Sequence, residues 1–424
     1  MAKPRKRVKV FVAMSGGVDS SVAAWLLANR GYEVVGVFMR CWSQGSPATS
    51  LGTDCTAEAD ATDARRVAAR IGIPFYAWDF EDEYKKRVVD YMVEGYRRGI
   101  TPNPDIMCNK EIKFGLFLEK ALSMGSDYVA TGHYVRLRSS ANNESQTNKR
   151  MKEFANSERI RYALMVARDA NKDQSYFLWT LTQDQLQHCL FPIGDYVKPE
   201  VREMARKVGL PTAEKKDSQG ICFLGKVTLE NFLGQYIPRK RGEILDVRGE
   251  KIGEHRGAQF YTIGQRHLGI ANRKSQIVNS GDMKPVYVAE KDIKTNTLIV
   301  AEGDDHFSLY KKEIAVDQVH FINPIANHQL PMTVLARVRY RQPLVKARIM
   351  NHESGIKGGA GKKFKPIIPN SQFLIQFEEP VKFVATGQSA VFYVKDNTSS
   401  FHSKGRRSAG LRMLGGGVIA ATIR

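Results

Sequence analysis

Strand-like and helix-like segments alternate through the first third of the chain, and this alternation limits the fold more than any other feature. The strand-like segments are short and rich in Val, Ile and Phe, and the segments between them repeat apolar residues at helical spacing. The predicted strands are 8–14, 33–39, 73–80 and 127–131, and the predicted helices are 20–29, 56–71, 84–96 and 111–124. This order predicts an α/β fold with a Rossmann-like parallel sheet covered by helices on both faces.

Beyond residue 236 the pattern changes to short alternating segments with frequent glycine, of which Val286–Glu290 is typical. Such segments favour β-rich modules over further α/β units. We therefore predict three domains. They are an α/β catalytic domain over 1–235, a small β-rich central module over 236–304 and a C-terminal β-barrel-like domain over 305–424.

The chain is strongly basic, with 64 Lys and Arg against 44 Asp and Glu and a net charge of +20. This excess favours a phosphate-rich partner such as nucleic acid, and a basic surface that serves only solubility is the alternative. The chain has no apolar run long enough for a membrane span and no signal-peptide pattern at its start, so we predict a cytoplasmic protein. Its five cysteines form neither a disulfide framework nor a zinc-ligand pattern, and we predict no metal-binding residues.

The segment Ser15-Gly16-Gly17-Val18-Asp19-Ser20-Ser21 joins the first predicted strand to the first predicted helix. Its glycines allow a tight turn and let a ligand approach the backbone closely, and free amides at a helix start favour phosphate. The segment has the spacing neither of the P-loop nor of the dinucleotide-binding glycine motif. The residues alone are consistent with a phosphate-binding loop or with an ordinary turn.

Cys108 follows a proline-rich run at 101–105, and the pattern places it at the start of a helix that Asn109 caps. A helix start and the charges of Lys110 and Lys113 would favour the thiolate, which is the reactive form of cysteine. The polar and cationic surroundings therefore indicate a nucleophile, and a buried structural cysteine is the alternative.

Cys222 lies in a glycine-flanked segment that follows the strongly polar stretch 213–219. This composition predicts a mobile loop that carries a thiol near two lysines, and such a thiol suits relay chemistry. A cysteine packed beside Phe223 and Leu224 is the alternative.

The motifs of this chain, taken in order, resemble those of a known family. The loop at 15–21 is similar to the pyrophosphate loop of ATP pyrophosphatases, and the whole set resembles the bacterial tRNA-specific 2-thiouridylases. Besides the loop, the matching strings are Asn-Pro-Asp-Ile-Met-Cys-Asn at 103–109, Ala-Thr-Gly-His-Tyr at 130–134, Lys-Asp-Gln-Ser-Tyr-Phe at 172–177, Gly-Ile-Cys-Phe at 220–223, Phe-Tyr-Thr-Ile-Gly-Gln-Arg at 260–266, Arg-Tyr-Arg at 339–341, Gly-Gln at 387–388 and Leu-Gly-Gly-Gly at 414–417.

The resemblance implies an ATP-dependent transferase that replaces the 2-oxygen of the wobble uridine, position 34 of tRNA, with sulfur. It implies ATP and Mg²⁺, adenylation of that oxygen with release of AMP and pyrophosphate, and a persulfide on Cys222. Cys108 would be the other catalytic thiol, which either frees sulfide from the persulfide or forms a disulfide with Cys222. The implied partners are the tRNAs for Lys, Glu and Gln and a cysteine desulfurase or a sulfur-relay protein, and the implied state is a monomer.

The resemblance also assigns individual residues. Asp105 would lie beside the target base as a general acid or base, and a structural turn residue after Pro104 is an equal interpretation. The implied ATP-binding residues are Ala13, Met14, Ser15, Gly16, Gly17, Val18, Asp19, Ser20, Met39 and Gly132. The implied tRNA-binding residues are Asn103, Pro104, Asp105, His133, Lys172, Asp173, Gln174, Arg339, Tyr340 and Gln388.

Three alternatives to this function remain at the level of sequence. Another ATP pyrophosphatase, such as a tRNA lysidine synthetase, would need no pair of relay thiols, and a non-catalytic tRNA-binding protein would show defects in the loop or the cysteines. A third alternative keeps the function but places an iron–sulfur cluster on Asp105, Cys108 and Cys222, for which the CxxC spacing is lacking. Cys41 has no assigned role, and four segments look longer than the family pattern: 139–158, 272–284, 351–365 and 396–412.

Overall fold

The structure of the protein is a computed structural model. It describes residues 7–42, 57–139, 161–217, 227–266, 268, 284–323, 330–351, 373–396 and 410–423. Cys222 and nearly all of the four long segments lie outside the described residues, so the predictions made for them are not tested. The same holds for Cys55, which we expect to be a small buried side chain.

The described strands are β1 (Lys9–Ala13), β2 (Glu33–Arg40), β3 (Phe75–Asp79), β4 (Tyr128–Ala130), β5 (Arg136–Ser139), β6 (Tyr162–Met165), β7 (Cys189–Leu190), β8 (Gly242–Asp246), β9 (Lys251–His255), β10 (Val286–Asp292), β11 (Thr297–Glu302), β12 (Tyr310–Phe321), β13 (Met332–Arg337), β14 (Val345–Asn351), β15 (Phe373–Lys382), β16 (Ser389–Lys395) and β17 (Leu411–Ile423). The described α-helices are α1 (Val18–Asn29), α2 (Ala57–Ile71), α3 (Glu81–Tyr84), α4 (Asp90–Arg97), α5 (Pro104–Met107), α6 (Phe117–Ser123), α7 (Gln183–Leu186), α8 (Lys198–Lys207) and α9 (Leu229–Leu233). Two π-helical stretches, Lys85–Val89 and Cys108–Leu116, join α3 to α4 and α5 to α6.

The first sheet is parallel and has the strand order β3-β2-β1-β4-β7. Alternate side chains of its central strand enter two different cores: Phe11 and Ala13 pack into one, and Val10 and Val12 pack into the other. The sheet is therefore covered on both faces, which confirms the predicted Rossmann-like fold. The four predicted strands correspond to β1, β2, β3 and β4.

The helix that contains Cys108 begins earlier than predicted. Asn103 caps α5 through its side-chain oxygen, which accepts from the Ile106 amide at 3.2 Å, and Pro104 occupies the first helical position. The helical backbone continues through the π-helical stretch into α6. The prediction that Asn109 caps this helix is therefore wrong, and Cys108 lies beyond the first turn.

Beyond residue 236 the described chain is β-rich, as predicted. Strands β10-β11-β8-β9 form a four-stranded sheet, and β12-β15-β14-β13-β16-β17 form a six-stranded antiparallel barrel that the β12–β17 pairing closes. The hairpin of β5 and β6 extends the barrel sheet, because Met165 pairs with Arg412 of β17. The domain boundaries given above stay predictions. Among the described residues, no helix is long and apolar enough to cross a membrane.

Candidate functional site

The loop between β1 and α1 has the geometry of an anion site. Gly17 is the N-cap of α1, and no side chain of this residue forms a capping hydrogen bond with the first amides of the helix. Amides at a helix start that lack a side-chain cap can bind phosphate. Gly16 has a φ of 72°, and a Cβ there would collide with the backbone of Asp60. Ser20 braces the loop, since its hydroxyl accepts from the Ser15 amide at 3.1 Å and donates to the Gly17 carbonyl at 3.2 Å.

The other predicted nucleotide residues lie at the same edge of the sheet. Gly132 follows β4, and a Cβ built on it would lie 2.6 Å from the amide nitrogen of Ser20 and 2.8 Å from the carbonyl carbon of Asp19. Met39 lies near the carboxyl end of β2 and packs half-buried against the core. The carboxyl edge of an open parallel sheet is where ligands bind in such folds.

Asp19 lies at the centre of an ionic network that the sequence reasoning missed. The Lys198 ammonium nitrogen is 2.7 and 2.8 Å from the two Asp19 carboxylate oxygens, and the Tyr134 hydroxyl donates to one of them at 2.8 Å. Lys198 is 8% exposed. Lys198 lies in the first turn of α8, where the helix dipole disfavours a cation. This unfavourable position in the sequence could have indicated that an anion lies nearby.

Asp217 extends this network toward the segment that carries Cys222. It pairs with Lys198 at 2.9 Å, with Lys172 at 2.6 Å and with Arg202 at 2.7 Å. Partial burial opposes its charged form, but the hydrogen bonds from Lys172 and Lys198 outweigh burial and lower the pKa of Asp217 to about 2. The chain is therefore anchored immediately before residue 218, and Cys222 itself lies outside the described residues.

Cys108 is half-buried on its helix, one turn after Asp105. Burial raises the pKa of the Asp105 carboxyl, and the positive charge of Lys113 acts in the opposite direction. Asn109 is 2% exposed, and its amide donates to the Phe177 carbonyl at 3.4 Å. The hydrogen bond of Asn109 therefore fixes one side of the helix that also carries Asp105 and Cys108.

His133 lies between the loop 15–21 and the Cys108 helix. It follows Gly132 directly, and its ring centroid lies 5.9 Å from that of Phe114, which is on the same helix as Cys108. Its Nδ1 is 2.7 Å from the Thr131 hydroxyl. Burial, with a contribution from the charge of Lys113, lowers the pKa of His133 well below its ordinary value, so the ring is neutral at neutral pH. Its tRNA contact stays a prediction.

The predicted tRNA-binding run at 172–174 divides into three different roles in the structure. Lys172 pairs with Asp217, as described above. Asp173 is 3% exposed and accepts hydrogen bonds from the Ala167 amide and the Ser175 hydroxyl, and burial raises the pKa of its carboxyl. The Gln174 side chain accepts from the Tyr134 amide at 2.9 Å. Each of these three side chains therefore bonds to other groups of the protein in this structure.

The barrel supplies the remaining predicted residues. The Tyr340 ring lies 4.5 Å from the Phe177 ring, and the Arg341 guanidinium lies 5.1 Å from the Tyr340 ring centroid. Arg339 donates to the Ile263 carbonyl at 3.2 Å, and burial lowers the pKa of its guanidinium. An aromatic ring with an arginine on its face is a surface on which an unstacked base can lie.

Gln388 contacts protein at the entrance to the Cys108 helix. Its Nε2 donates to the Thr101 carbonyl at 2.9 Å and to the Pro102 carbonyl at 3.2 Å. Cys189 is 1% exposed, and burial raises the pKa of its thiol, as expected for a structural cysteine. Among the described residues, no group of three or more His, Cys, Asp or Glu side chains could hold a metal ion.

The fold and the site define a class: an α/β domain with a parallel sheet and a glycine-rich loop at the carboxyl edge of that sheet, followed by β-rich modules. Three family models match the chain in this order. The tRNA methyl transferase HUP domain matches residues 8–226, the tRNA methyl transferase PRC-barrel domain matches 230–302, and the aminomethyltransferase beta-barrel domain matches 363–419.

Curated relatives match along nearly the whole chain. The tRNA-specific 2-thiouridylase MnmA 1 of Geobacillus kaustophilus is 42% identical over 92% of this chain and 94% of its own length. The MnmA protein of Listeria monocytogenes serotype 4b is 41% identical over 93% of this chain and 94% of its own length. The chain belongs to the MnmA family of tRNA-specific 2-thiouridylases. A solved 4-thiouridine synthetase–RNA complex with bound ATP has a TM-score of 0.31, at 18% identity, over 55% of this chain and 50% of its own.

Proposed function

We propose that the protein catalyses the ATP-dependent 2-thiolation of the wobble uridine, position 34, of tRNA. The observation that carries this proposal is the position of Gly132 and His133. Gly132 packs against Asp19 and Ser20 of the phosphate-type loop, and His133 packs against Phe114 of the Cys108 helix. These contacts bring the loop 15–21 and the Cys108 helix to either side of residues 132–133, which supports adenylation and sulfur transfer at one substrate base.

The first half of the proposed reaction is adenylation. The uridine 2-oxygen attacks the α-phosphorus of ATP, the bond between the α- and β-phosphates breaks, and pyrophosphate leaves. The amides at the start of α1 and the loop 15–17 would hold the phosphates, and Asp19, whose oxygens contact Lys198 in this structure, is the carboxylate next to them that would hold Mg²⁺. This step converts the oxygen into a good leaving group.

The second half is sulfur transfer. The outer sulfur of a persulfide on Cys222 attacks carbon 2 of the base, and AMP leaves with the oxygen. Cys108 then attacks the inner sulfur, forms a disulfide with Cys222 and releases the 2-thiouridine. In the alternative order, Cys108 attacks the inner sulfur first and frees sulfide, which then attacks carbon 2. Both orders leave a disulfide, which an external dithiol must reduce by two electrons.

Substrate binding in this proposal uses the barrel and the basic surface. The target base must leave its stack to present its 2-oxygen, and the Tyr340 ring with Arg341 on its face offers it a new stacking surface. The net charge of +20 supplies the attraction for the tRNA backbone. The proposed substrates are the tRNAs for Lys, Glu and Gln, the proposed sulfur donor is a cysteine desulfurase or a relay protein, and we propose a cytoplasmic monomer.

The test combines purified protein, ATP, Mg²⁺ and unmodified tRNA for Glu with cysteine and a desulfurase, and it measures 2-thiouridine by mass spectrometry of digested tRNA. We expect product with the wild type and with Cys189→Ser, a buried control, and none with Cys108→Ser or Cys222→Ser. Release of AMP and pyrophosphate without thiolated tRNA would refute the sulfur transfer and leave an adenylating enzyme with another acceptor. Activity in both catalytic variants would refute the thiol relay.

A further inference from the structure

Thr101, which precedes the Cys108 helix, is held by two other parts of the chain. Thr101 is 5% exposed although it lies in a connection between helices. Its amide donates to the Thr386 carbonyl at 2.8 Å, and its carbonyl accepts from Gln388 at 2.9 Å. Its hydroxyl oxygen lies 3.4 Å from that of Thr262. The backbone of Thr101 is thus bonded to the barrel, and its side chain is bonded to the central module.

The fit between the barrel turn and this segment is close. Gly387 has a φ of 87°, and a Cβ on it would lie 2.9 Å from the Thr101 carbonyl oxygen. On the opposite side, Pro102 lies against Gly95 of α4, where a Cβ would be 2.8 Å from the proline ring. Residues 101–102 are therefore held between α4 and the turn 386–388, which we call the barrel clamp.

The clamp is next to the start of the Cys108 helix. Asn103, the residue that caps α5, follows Pro102 directly. A shift of residues 101–102 therefore shifts the cap, and loss of a cap destabilises the first helical turn. Cys108 lies immediately after α5 on the same continuous helix.

We propose that the barrel clamp, Thr386, Gly387 and Gln388, positions Cys108 before any tRNA is bound. These are positioning residues, because they are proposed to act on Cys108 through residues 101–103. The resemblance assigned Gln388 to tRNA contact, whereas the present proposal gives it a role inside the protein. The catalytic importance of the clamp rests on the function proposed above for Cys108.

The first test measures alkylation of Cys108 by iodoacetamide in the full-length protein without tRNA, by mass spectrometry of peptides. The variants are Gln388→Leu and Gly387→Ala, and Cys189 is the internal reference. We expect alkylation of Cys108 to be at least about threefold faster in both variants, because a loosened cap exposes a half-buried thiol. Gln376→Leu is the matched control, since the Gln376 amide donates to Glu313 within the barrel. Rates within about twofold of wild type in both variants would overturn the proposal.

The second test separates positioning from tRNA contact. If Gln388 positions Cys108, Gln388→Leu lowers kcat in the thiolation assay. If Gln388 only contacts tRNA, the variant raises the KM for tRNA and leaves alkylation of Cys108 unchanged. This second outcome would refute the clamp. Thr262→Val is a milder variant that removes one hydroxyl, and we expect a smaller increase in alkylation from it. If the wild type does not thiolate tRNA, the proposed function fails while the alkylation rates still decide whether the clamp holds Cys108.

Discussion

Replacement of Lys198 by methionine removes one charge from the network around Asp19 and keeps the length of the side chain. The Lys198 side chain is 10% exposed, and its ammonium nitrogen lies within 2.9 Å of carboxylate oxygens from both Asp19 and Asp217. In the variant, Asp217 keeps its pairs with Lys172 and Arg202. Asp19 keeps the hydrogen bond from Tyr134 but loses a cation that contacts both of its oxygens.

The expected loss of stability lies between two limits. Breaking a fully buried ion pair costs about 3–5 kcal/mol, and breaking an exposed pair costs at most about 1 kcal/mol. Lys198 is buried, whereas the Asp19 and Asp217 side chains are 33% and 31% exposed, so water screens part of the exposed charge. We therefore expect Lys198→Met to lower the free energy of unfolding by about 2 kcal/mol.

The assay is denaturant unfolding followed by far-UV circular dichroism at pH 7.5 and low salt. The matched control is Lys207→Met on the same helix, where the pair with Glu203 is 70% and 60% exposed and removal costs less than about 0.5 kcal/mol. Adding Asp19→Asn to Lys198→Met removes the stranded charge and should restore about half of the lost stability. Equal effects of Lys198→Met and Lys207→Met, or no recovery in the double variant, would refute the network.

Three further predictions concern neighbouring groups. The depressed pKa of His133 means that the unfolded chain binds a proton before the folded protein does as pH falls. Wild-type stability should therefore drop by up to about 1 kcal/mol between pH 6.5 and 5.5 relative to His133→Gln, measured by unfolding at each pH. Because the pKa of Asp217 is lowered to about 2, the stability that its charge contributes is present above pH 4 and is lost toward pH 2. After allowance for solvent screening, Asp217→Asn should remove about 1 kcal/mol of this acid dependence. Acid titration of the unfolding midpoint measures the difference. Gly132→Ala should weaken ATP binding at least about tenfold, measured by calorimetry, because the alanine Cβ would push on the backbone of Asp19 and Ser20. The control is Gly125→Ala, where nothing lies within 4 Å of the added Cβ, and it should leave ATP affinity unchanged.

The sequence was most informative where a local pattern has one structural solution. The alternation of apolar residues predicted strands β1 to β4, and the glycines of the 15–21 loop predicted its turn, because both depend on neighbouring residues. The start of the Cys108 helix was predicted too late, although Asn103 followed by Pro104 is a regular helix start. The sequence analysis assigned the cap to Asn109 alone, and the backbone shows that Asn103 holds it.

The network around Asp19 could not be predicted in the same way. Lys198 lies 179 positions from Asp19 in sequence, and no local rule pairs residues so far apart. In the sequence, long side chains such as Lys172 and Lys198 have the pattern of ordinary surface charges, and only the folded structure shows their partners. Burial then makes each unpaired charge costly, so the fold brings oppositely charged partners together.

The sequence by itself determined the class of fold and the family, since these depend on residue type and local order. The phosphate role of the 15–21 loop and the relay role of the two thiols stay predictions. Tertiary structure alone decided that Gln388 reaches the backbone before Cys108 and that His133 is buried and neutral between the nucleotide loop and the Cys108 helix. The physical reason is that burial, and the pKa shifts that follow from it, depend on which distant segments pack together.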